Sequence, residues 1–181
     1  MNSLEETLVR LHRALEAAAL PYMVIGGIAN AQWGIPRATL DVDVTVWAEE
    51  AQLASAVEAL CARFPPLTEE PLAFVRETRV LPLDISGVRA DVLFGLLPYE
   101  RSAIERAVER KVAGVPIRFC TAEDLILHKV ISDRPRDLED VRGILAAQRG
   151  KLDLGYLEPR IRKLSELLTR PSIWEAYLQG K

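Results

Sequence analysis

The chain has 181 residues, enough for one domain or for one domain with a small helical lobe, and about half of them are hydrophobic. A packed core is therefore expected, and because no run of eighteen apolar residues occurs, we expect no membrane span. The formal net charge of −3 divides into −7 for residues 1–100 and +4 for residues 101–181. The net charge of +4 in the second half is too small to imply binding of extended duplex nucleic acid.

The N-terminal segment predicts an amphipathic helix rather than a signal peptide. Leucines recur at helical spacing over residues 3–19, and acidic residues come early in the segment. The two cysteines, Cys61 and Cys120, lie in apolar surroundings and lack metal-binding spacing. We therefore expect a cytoplasmic protein with buried free thiols.

Hydrophobic periodicity and the positions of Gly and Pro predict the remaining elements. Further helices are predicted over residues 28–33, 49–64, 98–111, 122–130, 138–148, 154–168 and 171–179. Strands are predicted over residues 23–25, 41–46, 73–78, 80–86, 88–94 and 115–119. This order indicates an α+β fold: a small mixed β-sheet core flanked by helices, residues 1–119, followed by a C-terminal helical lobe, residues 120–181, packed on the core.

Two aspartates share one face of the strand over residues 41–46. Valines alternate there with Asp41, Asp43 and Thr45, so both carboxylates point the same way with Cα atoms about 7 Å apart. Carboxylates that close repel each other unless a cation lies between them, and two-metal phosphoryl-transfer sites use such pairs. For these two residues alone, a solvated strand edge is the competing interpretation.

A glycine pair lies between the first strand and the next helix. Gly26 and Gly27 allow close approach of the backbone to a ligand and direct helix N-terminal amides toward an anion such as a triphosphate. The segment is neither a Walker A loop, since no Lys-Ser/Thr follows, nor a dinucleotide fingerprint, since the third glycine is missing. A plain tight turn explains the pair alone equally well.

Gly87 is predicted to form the turn of a hairpin in which Asp84 lies opposite Arg89. Asp84 is therefore expected to pair with Arg89 across the strands, whereas Asp91 is expected to have no near partner. An exposed acid on an edge strand is the competing interpretation of Asp91.

Lys129 lies among apolar residues on a helix capped by Thr121. A cation in such surroundings needs an anion. Asp137 and Asp140 are three residues apart on the next helix, so both can approach Lys129. Two interpretations stay open: a Lys129–Asp140 salt bridge between the helices, or binding of triphosphate oxygens.

Two motifs in this chain resemble those of a known superfamily. Ile25-Gly26-Gly27, thirteen further residues and Asp41-Val42-Asp43-Val44 resemble the signature of the DNA polymerase β-type nucleotidyltransferases. The run Arg37-Ala38-Thr39-Leu40-Asp41-Val42-Asp43 is similar to the R-x-T-x-D-x-D of AbiEii-type toxins, the nucleotidyltransferase half of type IV toxin–antitoxin pairs. Glu123-Asp124-Leu125 with Lys129, followed by Arg136-Asp137 and Asp140, resembles their downstream motif, with Arg136 where lysine is usual.

The resemblance implies a nucleotidyltransferase core that uses Mg²⁺, with two ions expected. It implies that Asp41, Asp43 and Asp91 are catalytic metal ligands, with Asp91 also helping to deprotonate the acceptor and Asp84 as the fallback third ligand. Lys129 is expected to be catalytic as well. The implied nucleotide-binding residues are Gly26, Gly27, Arg37, Thr39, Lys129 and Asp140. The implied partners are a nucleoside triphosphate, a tRNA 3′ end as acceptor and a cognate antitoxin protein.

Two alternatives remain at the level of function. Aminoglycoside nucleotidyltransferases share the Gly-Gly and Asp-x-Asp pattern and add a helical lobe, which leaves a small-molecule acceptor open. A non-catalytic module that binds nucleotide or a partner protein is the third interpretation.

Overall fold

The computed structural model describes residues 3–132 and 134–181 of the chain. Within those residues there are nine α-helices: α1 Ser3–Ala17, α2 Gly26–Trp33, α3 Leu53–Cys61, α4 Pro71–Thr78, α5 Pro98–Arg106, α6 Ala122–Ser132, α7 Pro135–Ala147, α8 Leu154–Leu167 and α9 Ser172–Gly180. None of these helices has the length and apolar character needed to cross a membrane.

The described residues also form one mixed sheet of six strands: β1 Tyr22–Val24, β2 Asp41–Val46, β3 Val80–Ile85, β4 Val88–Phe94, β5 Val108–Val112 and β6 Val115–Phe119. Their spatial order is β3-β4-β2-β1-β6-β5. The pairs β2–β4 and β1–β6 are parallel, and the pairs β1–β2, β3–β4 and β5–β6 are antiparallel. The predicted α+β class with a small mixed sheet is confirmed.

The contacts of the described residues divide the chain into two compact units. The first takes residues 3–28 and 38–120, and the second takes residues 29–37, 121–132 and 134–181. In the first unit α1 packs against β2, β3, β4 and β6 and buries Leu8, Leu11 and Leu15. Burial of each leucine contributes about 1.5–3 kcal/mol to this core. In the second unit α6, α7, α8 and α9 pack on one another.

Residues 73–78, predicted as a strand, are helical. They belong to α4, which begins at Pro71 and ends at Thr78; the residue that follows, Arg79, has the left-handed conformation with φ +61°. Proline suits the first position of a helix because its missing N–H has no partner there in any case. Val75 is the one buried residue of this helix. The sequence of these eight residues therefore shows no hydrophobic periodicity from which a helix could be identified.

The helix predicted over residues 98–111 is shorter than expected. It ends at Arg106, and residues 108–112 form the edge strand β5, which pairs with β6 through a two-residue turn. Ala113 and Gly114 have φ values of +49° and +83° in that turn, as hairpin turns of this size require. Three successive residues of β5 are exposed, so the strand lacks the alternation that would have revealed it.

Candidate active site

Three aspartates lie on two neighbouring parallel strands. Asp43 of β2 is directly opposite Asp91 of β4, and Asp41 is directly opposite Arg89. Laterally paired residues point to the same face of a sheet, with strands about 4.8 Å apart. All three carboxylates are half-buried. The sheet therefore gathers three carboxylates and one guanidinium on a single face.

Arg89 pairs with Asp91 rather than with Asp84. Its Nε lies 3.0 Å from each carboxylate oxygen of Asp91. The register that sets Asp84 opposite Arg89 is confirmed, but Asp84 instead accepts from the backbone N–H of Gly87 at 2.7 Å and closes the turn. The expected Asp84–Arg89 pair and the expected lack of a partner for Asp91 are therefore both wrong. The hydrogen bond and charge of Asp91 raise the pKa of Arg89.

Thr39 fixes one of these carboxylates from the segment before β2. Its hydroxyl donates to Asp41 Oδ1 at 2.6 Å. A Cβ added at Gly27 would lie 2.6 Å from Thr39 Oγ1, closer than such contacts allow. Gly27 therefore leaves room for the side chain that orients Asp41, a role that a plain tight turn would not require.

Gly26 is constrained in two ways. Its φ of +66° lies in the left-handed region that favours glycine, and a Cβ added there would overlap the carboxylate of Asp43. The backbone N–H of the preceding Ile25 donates to the carbonyl oxygen of Asp43 at 2.9 Å, which holds the two segments together. The glycine pair is thus a packing requirement of Asp43 and Thr39.

We expect Gly26→Ala to lower the free energy of unfolding by more than the matched variant Gly114→Ala. Both glycines have positive φ, so alanine is strained by about 1 kcal/mol at either position, but a Cβ at Gly114 meets no atom within 4 Å. The excess therefore measures the displacement of Asp43. Urea unfolding of the two variants tests this, and equal losses would contradict the close approach of Gly26 to Asp43.

In the second unit, Lys129 joins two buried carboxylates. Its side chain is 4% exposed, and its Nζ lies 2.9 Å from Asp137 Oδ1 and 2.6 Å from Asp140 Oδ2. Ser132 and Arg134 each donate to Asp137 Oδ2 at 2.6 Å. The sequence-based expectation that Asp137 and Asp140 both approach Lys129 is confirmed, and the Lys129–Asp140 salt bridge is present.

Asp140 also holds Arg37, the first residue of the R-x-T-x-D-x-D motif. Arg37 Nε lies 2.9 Å from Asp140 Oδ1, and Arg37 Nη2 lies 2.9 Å from Asp140 Oδ2, so the two side chains form a bidentate pair. Asn30 of α2 donates to the same Oδ1 at 3.2 Å and to the carbonyl oxygen of Ile35 at 3.0 Å. We did not predict a role for Asn30, although an amide inside a short apolar helix was a signal that it has a buried partner.

The hydrogen bonds and ion pairs around Lys129 change the pKa of the carboxyl groups of Asp137 and Asp140. Burial raises the pKa of both Asp137 and Asp140, but hydrogen bonds outweigh burial and leave each pKa below its ordinary value. The opposing bonds come chiefly from Ser132 and Lys129 at Asp137, and from Arg37 and Lys129 at Asp140.

These lowered pKa values predict a loss of stability in acid. The folded protein binds protons at Asp137 and Asp140 less readily than the unfolded chain does, so their contribution is complete above about pH 5 and declines as the pH falls below about 4. Asp140→Asn should show a smaller decline than the wild type in urea unfolding between about pH 5 and pH 2. The exposed neighbour Glu139→Gln is the control and should follow the wild type.

The three aspartates fit a divalent metal ion in their chemistry, since Mg²⁺ prefers carboxylate oxygens. Within residues 3–132 and 134–181, however, no group of three or more His, Cys, Asp or Glu side chains is arranged to hold a metal ion as it stands. Asp91 is turned to Arg89, and Asp41 accepts from Thr39. The carboxylates of Asp91 and Asp41 therefore each already accept a hydrogen bond from a protein side chain.

A helix that begins at a Gly-Gly pair beside a mixed sheet, with aspartates on adjoining strands, is typical of the nucleotidyltransferase class. The chain belongs to the family described as nucleotidyltransferase of unknown function (DUF6036), whose model matches residues 2–171. It is therefore a transferase enzyme. No curated protein matches the sequence.

Solved structures agree on the fold. The antibiotic-resistance factor ANT(2'')-Ia matches with a TM-score of 0.59 and 18% identity over 91% of this chain and 94% of that one. An antigenic nucleotidyltransferase-like protein from Paracoccidioides brasiliensis matches with a TM-score of 0.55 and 16% identity over 98% and 93%. The lincosamide antibiotic adenylyltransferase LnuA, bound to lincomycin, matches with a TM-score of 0.52 and 14% identity over 81% and 99%.

Proposed function

We propose that the protein transfers a nucleoside monophosphate from a Mg²⁺-bound nucleoside triphosphate to an acceptor hydroxyl, with Asp41, Asp43 and Asp91 as the metal ligands. The observation that carries this proposal is the register of β2 and β4, which sets Asp43 directly opposite Asp91 on one face. An aspartate pair on a single strand could be a solvated edge, whereas a third carboxylate on the adjoining strand supplies the number of carboxylates that a two-metal site would use.

The proposed reaction forms a bond between the acceptor oxygen and the α-phosphorus and breaks the bond from that phosphorus to the pyrophosphate oxygen. Asp91 accepts the proton of the acceptor hydroxyl, after its carboxylate has left Arg89. Gly26 and Gly27 offer backbone amides of α2 to the phosphates. Bound Mg²⁺ would neutralise the negative charge that develops on the α-phosphate and on the leaving pyrophosphate.

Arg37 and Lys129 have different parts in this proposal. The side chain of Arg37 is 26% exposed, so its guanidinium can contact a phosphate while it stays paired with Asp140. Lys129 is enclosed by Asp137 and Asp140 and acts on the nucleotide through the position of Asp140. Thr39 acts through Asp41 in the same sense.

The acceptor is proposed from the motif at residues 37–43, whose resemblance to AbiEii-type toxins favours a tRNA 3′ end and a cognate antitoxin as partner. A small-molecule hydroxyl is the second candidate. It is favoured by the match of 91% of this chain to 94% of ANT(2'')-Ia, an antibiotic-resistance factor, and by the similar match to LnuA with bound lincomycin.

A labelling assay tests the proposal and separates the two acceptors. The protein is incubated with Mg²⁺ and each of four α-labelled nucleoside triphosphates, first with total RNA and then with aminoglycosides and lincomycin. Label on RNA supports the toxin-like function, and label on a drug supports the second candidate. Absence of label on every acceptor would favour the nucleotide-binding module instead, which calorimetric titration with Mg-nucleotide would detect.

A further inference from the structure

Arg89 is a cation built into the face that carries the proposed metal ligands. It donates to both carboxylate oxygens of Asp91, and in the sheet it lies directly beside Asp41. On its other side β3 places Asp84 opposite it, although the carboxylate of Asp84 is engaged by the turn at Gly87. A guanidinium in this position neutralises carboxylates that would otherwise repel each other.

The ion pair between Arg89 and Asp91 can also be broken at small cost. The side chain of Arg89 is 55% exposed, whereas that of Asp91 is 18% exposed. A half-exposed arginine that releases its carboxylate can return to water at small cost, unlike a buried one. Both oxygens of Asp91 accept from Arg89, so an ion shared with Asp43 would bind a carboxylate that already has a cationic partner. A divalent ion and a guanidinium at the same carboxylate also repel each other.

We propose that Arg89 is a positioning residue that occupies Asp91 when no metal ion is bound and competes with the divalent ion for that carboxylate. This inference rests on the proposed metal site. It gives Arg89 a specific role: the arginine stabilises the protein without metal by neutralising Asp91, and it sets the metal concentration at which the third ligand becomes available.

The test measures metal binding without nucleotide and without turnover. Metal-free protein is titrated with Mn²⁺, and free Mn²⁺ is followed by electron paramagnetic resonance, for wild type, Arg89→Gln and Arg76→Gln. Arg76 is an exposed arginine of α4, and the Arg76→Gln substitution removes one positive charge from the same unit as Arg89→Gln does. Arg89→Gln should bind Mn²⁺ about three to ten times more tightly than wild type, whereas Arg76→Gln should bind as wild type does.

A double-mutant cycle with Asp91→Asn shows whether Arg89 acts through Asp91. In that background Arg89→Gln should no longer tighten Mn²⁺ binding, because the carboxylate for which arginine and metal compete is gone. Melting temperatures give a second readout. Arg89→Gln should melt lower than wild type in EDTA, and Mg²⁺ should raise its melting temperature more.

The outcomes separate this inference from the proposed function. Equal Mn²⁺ affinities for wild type and Arg89→Gln would overturn the competition while leaving the metal site standing. Tighter binding that persists with Asp91→Asn would assign the effect to general charge rather than to Asp91, and would overturn it too. Failure of wild type and every variant to bind Mn²⁺ would overturn the metal site itself.

Discussion

Asp43→Asn is expected to lower the rate of nucleotidyl transfer on the order of a thousandfold while leaving the protein folded. Asparagine keeps the shape of the side chain but removes the charge that would hold a divalent ion between Asp43 and Asp91. In the metal-free protein the same change relieves repulsion among three carboxylates on one face, so the free energy of unfolding should stay within about 1 kcal/mol of wild type or rise.

Three further variants sharpen this expectation. Glu58→Gln, an exposed acid on α3, is the control for loss of one negative charge and should keep wild-type activity. Asp91→Asn and Asp84→Asn decide between the two candidates for the third ligand. The register and the engagement of Asp84 by the turn both predict that Asp91→Asn loses activity and Asp84→Asn does not.

The labelling assay and a urea titration together provide the measurement. Loss of activity with unchanged or higher stability is the behaviour of a residue that is retained for chemistry. Full activity of Asp43→Asn would refute the metal assignment, and loss of both activity and stability would mean that the residue is structural.

The sequence predicted what depends on local patterns. The alternation of valine and aspartate located β2, and Gly87 located the β3–β4 hairpin with its register. The three candidate ligands were placed on neighbouring strands by resemblance to a known signature, and the structure places them there. Their catalytic roles stay predictions.

Other features could not be read from residue order. The sequence predicts that Arg89 pairs with Asp84, the carboxylate opposite it. Strand pairing, however, fixes only the backbone register. The long side chain of Arg89 also reaches Asp91, two residues further along its own strand. The contacts of Asn30 and Arg37 with Asp140 span more than a hundred residues, so no local pattern identifies Asp140 as their partner. The edge strand β5 was missed because exposed edge residues carry no hydrophobic alternation.

The second large effect is expected at Lys129, where Lys129→Met should lower the free energy of unfolding by about 3 kcal/mol. The substitution removes the ammonium group from between two buried carboxylates. The cost should fall at the lower end of that for breaking a buried ion pair, because Asp140 keeps Arg37 and Asp137 keeps Ser132. Urea unfolding measures the change, with the exposed Lys163→Met of α8 as the control.

The same variant decides between the two interpretations of Lys129. If the ammonium group chiefly binds triphosphate, Lys129→Met should keep the stability of wild type and raise the KM for the nucleotide. With Nζ enclosed by Asp137 and Asp140 and 4% of the side chain exposed, we expect the opposite order of effects. Stability should fall first, and activity should fall less, because Asp140 keeps its pair with Arg37 although Lys129 no longer fixes the position of Asp140.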